Sequence, residues 1–504
     1  MNKKIRRALI SVYHKQGLES ILFKLHNLGV SLYSTGGTYD YILSLGLPAT
    51  TVESLTDYPA ILGGRVKTLH PAVFGGILGR SDNPSDLQEL EKYNISSFDL
   101  VLVDLYPFEQ TLAATTDVAT IIEKIDIGGI SLIRAAAKNY NDVLIVPAAD
   151  YYSAFETLLD QGQGNTTPDD RRRFAAYGFG VSSRYDAAIY GWMSEGQGDL
   201  RLATRGQSRL RYGENPHQQG VFHGNLDEVF EQLSGKALSY NNILDLEAGL
   251  GLIAEYNEPA FAILKHNNAC GLACRGSMAE AYMAALAGDP LSAFGGVLVA
   301  NRTIDADAAE AMQGLFFEVI AAPGYHETAL ATLTQKKNRI ILRTKVTVFP
   351  AKLYRSALNG LLVQDRDMEN AAHSQLNIVT LKAPDERETR DLLFAEKAVK
   401  HARSNAIVLV KNNQLLGSGA GHTSRVDAVR HAITKAIENG FGLKGAVMAS
   451  DAFFPFADSV NMAAEHGISA ILQPGGSVRD QDSVEACNKL GISMVFTGLR
   501  HFKH

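Results

Sequence analysis

Short, wholly apolar runs separated by helix-patterned segments constrain this chain more than any other feature of its sequence. Leu100-Val101-Leu102-Val103 and Val143-Leu144-Ile145-Val146 have no polar face, so a strand made from either must be covered on both sides. Ala8 to Val12 and Val30 to Ser34 read as further strands. Between them Leu18, Ile21, Leu22, Leu25 and Leu28 recur at helical spacing, and Gly29 stops the helix. Strand and helix in alternation predict a mostly parallel α/β sheet. Thr167-Pro168-Asp169-Asp170 then opens a helix, with Thr167 as N-cap and Pro168 at the first helical position, running to about Glu195. Gly196-Gln197-Gly198-Asp199 marks a boundary, which divides the chain into domains 1–199 and 200–504.

The second part repeats the mixture. Ala260 to Leu264 and Ala406 to Val410 are similar strands, each next to Lys and Asn residues. Each is followed by a small-residue and Phe cluster, Ser292-Ala293-Phe294-Gly295-Gly296 and Ser450-Asp451-Ala452-Phe453-Phe454. The pattern suggests an old duplication of one α/β unit, although the spacings differ (294 − 265 = 29 and 453 − 411 = 42).

Composition excludes several classes. The 504 residues carry 48 Lys plus Arg and 54 Asp plus Glu, a formal charge of −6, so nothing draws the chain generally to nucleic acid or anionic membranes. An anionic ligand must be held by local charge. Three cysteines, Cys270, Cys274 and Cys487, make no disulfide framework and suit a reducing compartment. The longest stretch without Asp, Glu, Lys or Arg, Leu25 to Tyr39, is 15 residues and polar within, too short to span a bilayer. The basic start lacks the apolar core of a secretory signal, so a cytoplasmic protein is expected.

Candidate chemistry gathers in loops. Thr35-Gly36-Gly37-Thr38 joins a strand to a helix, and such a turn offers free amides to a phosphate; it also serves as a plain tight turn. Gly63 to Pro71 packs Arg65, Lys67, Thr68 and His70 between Gly-Gly and Pro. Asp126-Ile127-Gly128-Gly129 leads into a helix with Arg134 and Lys138 on one face. Tyr106 follows a strand end, where open parallel sheets bind ligands. Together these loops suggest a small phosphorylated substrate. In the second part, Arg211-Tyr212-Gly213-Glu214-Asn215-Pro216-His217-Gln218 combines a cation, a ring and hydrogen-bonding groups. Lys265-His266 follows an apolar strand, as suits a proton-transfer pair beside an anion. His266, Cys270 and Cys274 stand four apart, but they lack the fuller ligand set of a zinc site, so no metal is assigned. The tail Arg500 to His504 follows an apolar run, Ile492 to Leu499, which predicts that it is held in the fold.

Six stretches in order, Gly63 to Pro71, Asp126 to Asn139, Arg211 to Gln218, Lys265-His266, Asp451 to Phe456 and Arg500 to the end, resemble the bifunctional purine-biosynthesis family. That family joins aminoimidazole carboxamide ribonucleotide (AICAR) transformylase to inosine monophosphate (IMP) cyclohydrolase. The resemblance implies an N-terminal methylglyoxal-synthase-like parallel α/β domain and a C-terminal transformylase domain of two cytidine-deaminase-like α/β units. It implies a homodimer with transformylase sites at the subunit interface, 10-formyltetrahydrofolate as cosubstrate, and potassium in the transformylase domain. By position, Lys67, Tyr106, Asp126 and Lys138 match cyclohydrolase catalytic residues, and Lys265 and His266 match the transformylase pair. Lys15, Thr35, Gly36, Gly37, Thr38, Arg65 and Thr68 match nucleotide-binding positions of the first site. Arg211, Tyr212, Asn405, Ser424, Arg425, Phe453 and Arg500 match substrate-binding positions of the second, with Phe294 and Asp458 in its pocket segments. This chain departs from the family at Tyr13-His14, at Ala269 and in a shorter Lys265–Phe294 segment. Two other readings remain at this stage: a cyclohydrolase using a non-folate formyl donor, and a purine-nucleotide-binding regulatory protein whose catalysis has lapsed.

Overall fold

A computed structural model describes residues 1–204, 206–345 and 349–504. The chain divides into two compact units, Met1–Thr204 and Arg205–His504.

In the first unit five parallel strands form one sheet, in the order Thr50–Thr51, Ser31–Ser34, Arg7–Ser11, Leu100–Val103, Leu144–Val146. The apolar runs are buried on both faces, and alternate residues serve opposite cores. Ala8, Ile10, Leu100, Leu102, Leu144 and Val146 pack on one side with Leu18, Leu22, Phe155 and Phe174. Leu9, Val101, Val103 and Ile145 pack on the other with Val73, Ile77, Leu132 and Ile133. The chain starts mid-sheet, builds to one edge, then returns to build the other. This order leaves a crevice between the carboxyl ends of Arg7–Ser11 and Leu100–Val103. The helix Pro168–Met193 begins with the expected reciprocal cap, in which Thr167 and Asp170 each satisfy the other's amide.

The second unit holds two six-stranded sheets of one topology. The first runs Phe230–Ser234, Ile340–Thr344, Val319–Ala322, Val297–Ala300, Ala260–Lys265, Asn268–Cys274. The second runs Asn377–Ile378, Ser493–Phe496, Ala470–Gln473, Val447–Ser450, Ile407–Val410, Leu415–Gly419. In each, the first strand in the chain leads into a helix, Tyr240–Ile253 or Glu386–Lys400, and both helices enter one shared core with residues of both sheets, among them Leu246, Leu264, Val299, Leu392, Val408 and Val447. The duplication is real, but the Phe clusters are not its equivalent parts. Phe294 precedes the strand Val297–Ala300, whereas Phe453 follows the equivalent strand Val447–Ser450, so the two lie at opposite ends of matching elements. Measured to the strands themselves, the spacings nearly agree (297 − 265 = 32 and 447 − 411 = 36).

Candidate functional sites

The crevice of the first unit opens into a cleft of about 870 Å³. Three strand ends supply its wall: Ser11 to Lys15 after the first, Thr35 to Thr38 after the second, and Val103 to Tyr106 after the fourth. The loop carrying Arg65, Lys67 and Thr68 and the turn Asp126 to Gly129 close it. Thr38 is buried and ties the first two loops together, receiving the Val12 amide at 3.1 Å and donating to the Val12 carbonyl at 2.9 Å. Lys15 Nζ donates to Thr38 Oγ1 at 3.1 Å and to the Val12 carbonyl. Burial lowers the Lys15 ammonium below its ordinary value; Asp104 partly restores it and Lys67 lowers it further.

Asp126 is held rigidly. Its carboxylate accepts the Gly129 amide at 2.6 Å and the Tyr106 amide at 3.3 Å, while Tyr185 Oη accepts the Asp126 amide at 2.9 Å. Burial pushes its carboxyl up, against the pull of those amides and of Lys67. Lys67 itself has no hydrogen-bond or ion-pair partner among the described residues, so its ammonium is free to meet a ligand. Gly36, at φ 53°, brings backbone beside it: a Cβ there would lie 3.6 Å from Lys67 Nζ. Arg65 pairs with Glu123 at the rim.

Lys138 does not join this group. It is exposed at the far end of the helix Gly128–Lys138, whose first residues line the cleft, and ten residues of helix separate it from Gly128 by about 15 Å. His70 is a cap rather than a ligand, because its ring accepts the Ala72 amide at 3.1 Å and starts the helix Pro71–Leu78. Residues not foreseen are Asp104, which binds His14 at 2.8 Å, and Lys124, whose Nζ lies over the rings of Tyr13 at 5.1 Å and Tyr106 at 5.7 Å. Tyr13 packs edge-on against Tyr106, centroids 5.5 Å apart, so the departure at Tyr13-His14 rebuilds this wall. Asp104, next after an apolar strand, was the available signal.

In the second unit the strand Ala260–Lys265 ends in a two-residue hairpin turn, and the turn residues are His266 and Asn267. Both have positive φ, 53° and 64°, as the hairpin's twist requires. Lys265 Nζ donates to the Phe294 carbonyl at 2.9 Å, which places Phe294 beside the pair. Lys265 and His266 line a cleft of about 250 Å³ with Cys270, Asp289, His431 and Lys435. Arg211 donates to Asn242 at 3.1 Å and approaches Glu318 at 3.9 Å; its Nε is buried without a hydrogen-bond partner among the described residues. Its guanidinium lies 5.3 Å from the Tyr212 ring. Cys270 and Cys274 do not form a metal centre with His266. Among the described residues no group of three or more His, Cys, Asp or Glu could hold a metal ion, and burial pushes both thiols up to about 12.

The other positions cluster around Asp451. Arg425 Nη1 donates to Asp451 at 2.5 Å and to Ser450 at 2.8 Å, and Nη2 donates to Asn405 at 2.8 Å. Ser424 caps the helix that Arg425 begins. The tail is held as expected: the His501 amide donates to the Asp451 carbonyl at 2.9 Å, and the Lys503 amide to Ser404 at 3.0 Å. Arg500 therefore sits beside this cluster. Phe453 and Asp458 are exposed on the segment leaving Asp451. The two groups meet where the Arg403 amide donates to Asn268 at 3.2 Å.

Two separate clefts on two α/β units, each lined by cations and proton-transfer groups, suit an enzyme with two active sites for anionic small molecules. The family described as AICARFT/IMPCHase bienzyme matches residues 136–435, and the MGS-like domain matches residues 17–131. The chain is 57% identical over 504 residues to the bifunctional purine biosynthesis protein PurH of Bacteroides thetaiotaomicron, covering 100% of this chain and 99% of that one. It is 43% identical to PurH of Persephonella marina and 45% identical to PurH of Aquifex aeolicus, in both cases over 99% of this chain and 100% of the relative. The chain belongs to the AICARFT/IMPCHase bienzyme family. It is a transformylase and cyclohydrolase of the final two steps of IMP synthesis, built from an MGS-like α/β domain and a transformylase domain. No helix among the described residues is long and apolar enough to cross a membrane.

Proposed function

We propose that the two activities are divided between the two units: ring closure in the N-terminal cleft (domain 1–199) and formyl transfer in the C-terminal one (domain 200–504). The observation that carries the first assignment is Lys67, a cation without a hydrogen-bond or ion-pair partner among the described residues, lining one cleft with the clamped Asp126 and Tyr106. Formylated AICAR closes when its carboxamide nitrogen attacks the formyl carbon and water departs. Orientation dominates such an intramolecular step. Thr35 to Thr38, Lys15, Arg65 and Thr68 hold the phosphoribosyl part. Lys67 and Tyr106 donate to the developing oxyanion, and Asp126 orients the amide or accepts its proton. Lys138 stands outside this cleft, so we assign it no step in the subunit described.

In the C-terminal cleft His266 takes the proton of the substrate amine as that nitrogen attacks the formyl carbon of 10-formyltetrahydrofolate, and Lys265 supports the oxyanion. Arg211, Tyr212, Asn405, Ser424, Arg425 and Arg500 position the nucleotide, while Phe294, Phe453 and Asp458 border the donor. Arg425 acts by holding Asn405 through Nη2, while its Nη1 is committed to Asp451 and Ser450. We assign no step and no ligands to potassium.

A homodimer is supported by the hairpin Lys352–Ala357 and Gly360–Asp365, which exposes Tyr354, Leu361, Leu362 and Val363. A lone two-stranded hairpin is marginal in water, and a second copy would cover it. Three free thiols suit the cytoplasm.

The test is product analysis in two tubes, one with AICAR and 10-formyltetrahydrofolate, the other with formylated AICAR alone. IMP in both is expected. Product only in the second would overturn the folate donor, and product in neither would overturn both assignments.

A further inference from the structure

The two halves of the C-terminal unit allow a comparison within one molecule. Each builds the same hairpin turn, Lys265-His266-Asn267-Asn268 in the first half and Lys411-Asn412-Asn413-Gln414 in the second. The central residues of the second turn also have positive φ, 52° at both. An aspartate of each leading helix holds the turn: Asp245 in Tyr240–Ile253 and Asp391 in Glu386–Lys400.

The two aspartates bind differently. Asp391 commits both oxygens to the turn, accepting the Asn413 amide at 2.8 Å and the Asn412 amide at 2.9 Å. Arg387, four residues earlier, neutralises it at 2.9 Å. Asp245 accepts through Oδ1 alone, from the Asn267 backbone amide, the counterpart of Asn413's, at 2.7 Å and from the Asn267 side-chain NH2 at 3.2 Å. Its Oδ2 accepts no hydrogen bond from a described residue, and the position four earlier is Asn241, which brings no charge. The aspartate of the second half is saturated and neutralised. The copy that carries His266 keeps an uncompensated carboxylate beside it.

The other charges around the turn are already engaged or cationic. Asp289 pairs with Lys435 at 2.8 Å, and Glu318 accepts from Asn242 at 3.2 Å and faces Arg211. Lys265, His431 and Lys435 share the cleft with His266, and Arg403 reaches the Asn267 amide oxygen at 3.2 Å. Asp245 is thus the acid near His266 without a cation partner among the described residues. Burial raises its carboxyl while the Asn267 amide and the charge of His266 favour its ionised form.

We propose that Asp245 is a positioning residue for formyl transfer: one carboxylate oxygen fixes the turn that aims His266, and its charge stabilises the imidazolium that forms. The inference rests on His266 being the base. The proton passes from the substrate nitrogen to the imidazole, Asp245 stays ionised, and no bond to it forms or breaks.

Asp245→Asn keeps an acceptor for the Asn267 amide and removes the charge. Formyl-transfer kcat should fall about tenfold. The acid limb of log kcat/KM should move to lower pH by about half a unit, because without the neighbouring anion the imidazolium is harder to form. Cyclisation and thermal unfolding report that the variant is folded. Asp391→Asn should lower thermal stability and leave the limb in place. Asp245→Glu, which keeps the charge on a longer arm, should lose turnover with the limb unmoved. An Asp245→Asn limb that coincides with the wild type, or an equal shift in Asp391→Asn or Asp245→Glu, would overturn the proposal. Retained formyl transfer in His266→Ala would overturn the role of His266 and this inference with it. Lost transfer there with an unmoved Asp245→Asn limb overturns this inference alone.

Discussion

Replacing Asp451 by Asn tests the buried frame under the second site. Arg425 is 6% exposed and Asp451 is fully buried, and their carboxylate–guanidinium bond is 2.5 Å. Asp451 also accepts the Ala406 amide at 3.1 Å and the Ser404 hydroxyl at 2.5 Å. The Asn side chain keeps the shape and one acceptor but leaves a buried guanidinium without its counter-charge. Breaking one side of such a pair costs about 3–5 kcal/mol. Arg425 keeps Ser450, the Ala406 carbonyl and Asn405 as acceptors, which places the loss near the lower end, about 3 kcal/mol. The unit spans 300 residues (504 − 205 + 1). With about 2.1 cal/mol/K of unfolding entropy per residue, 3 kcal/mol lowers its Tm by about 5 °C. Calorimetry of the full chain reads this directly. Because Asn405 is held through Arg425 and the Lys503 amide through Ser404, and both Arg425 and Ser404 bond this carboxylate, the KM for AICAR should rise about tenfold while cyclisation is unchanged. A Tm loss below about 1 °C with normal KM would refute the reasoning.

Other outcomes follow from the same geometry. Lys67→Met should lower cyclisation about a hundredfold and leave formyl transfer intact, read by separate assays of the two steps. A Cβ at Gly271 would lie 2.1 Å from the Ala285 carbonyl, and one at the equivalent Gly417 would lie 2.2 Å from that of Ala432. Gly271→Ala and Gly417→Ala should therefore each cost about 3 kcal/mol in denaturant unfolding, since a helix backbone must move. Burial pushes Glu255 up, but His401, Lys400 and Asn370 together outweigh it and hold its carboxyl down from 4.5 to about 2. A depressed carboxyl stabilises the fold above pH 4.5 and loses that contribution as pH falls toward 2. Glu255→Gln should be less stable than wild type at pH 6, with the gap closing across that window in Tm measurements.

The sequence made the first unit legible because buried parallel strands are written as apolar runs. Leu100–Val103 and Leu144–Val146 needed only hydrophobicity to be placed, and Thr167-Pro168 announced its helix by capping chemistry. The duplication was half-legible. The strands and the Lys-Asn turns were visible, but Phe294 and Phe453 drew the alignment to opposite ends of equivalent strands, which only pairing register separates. Lys138 was carried by position in a motif, and helical rise, which sequence spacing alone does not weigh against a cleft's location, put it outside. His70 looked chemical because a ring in a basic loop resembles a ligand, yet its nitrogen was needed by a helix start. Asp245 and Asp391 stayed hidden for one reason: single acids far along the chain become significant only when the fold brings an amide or imidazole to them.

The central claim is that two independent sites share one chain, and separating them tests it most directly. Lys67→Met and His266→Ala would each be given AICAR and 10-formyltetrahydrofolate, alone and mixed, and the products resolved by chromatography. The account predicts formylated AICAR accumulating with Lys67→Met, nothing with His266→Ala, and IMP when the two are combined. IMP from Lys67→Met alone at the wild-type rate, or a mixture that makes none, would contradict it.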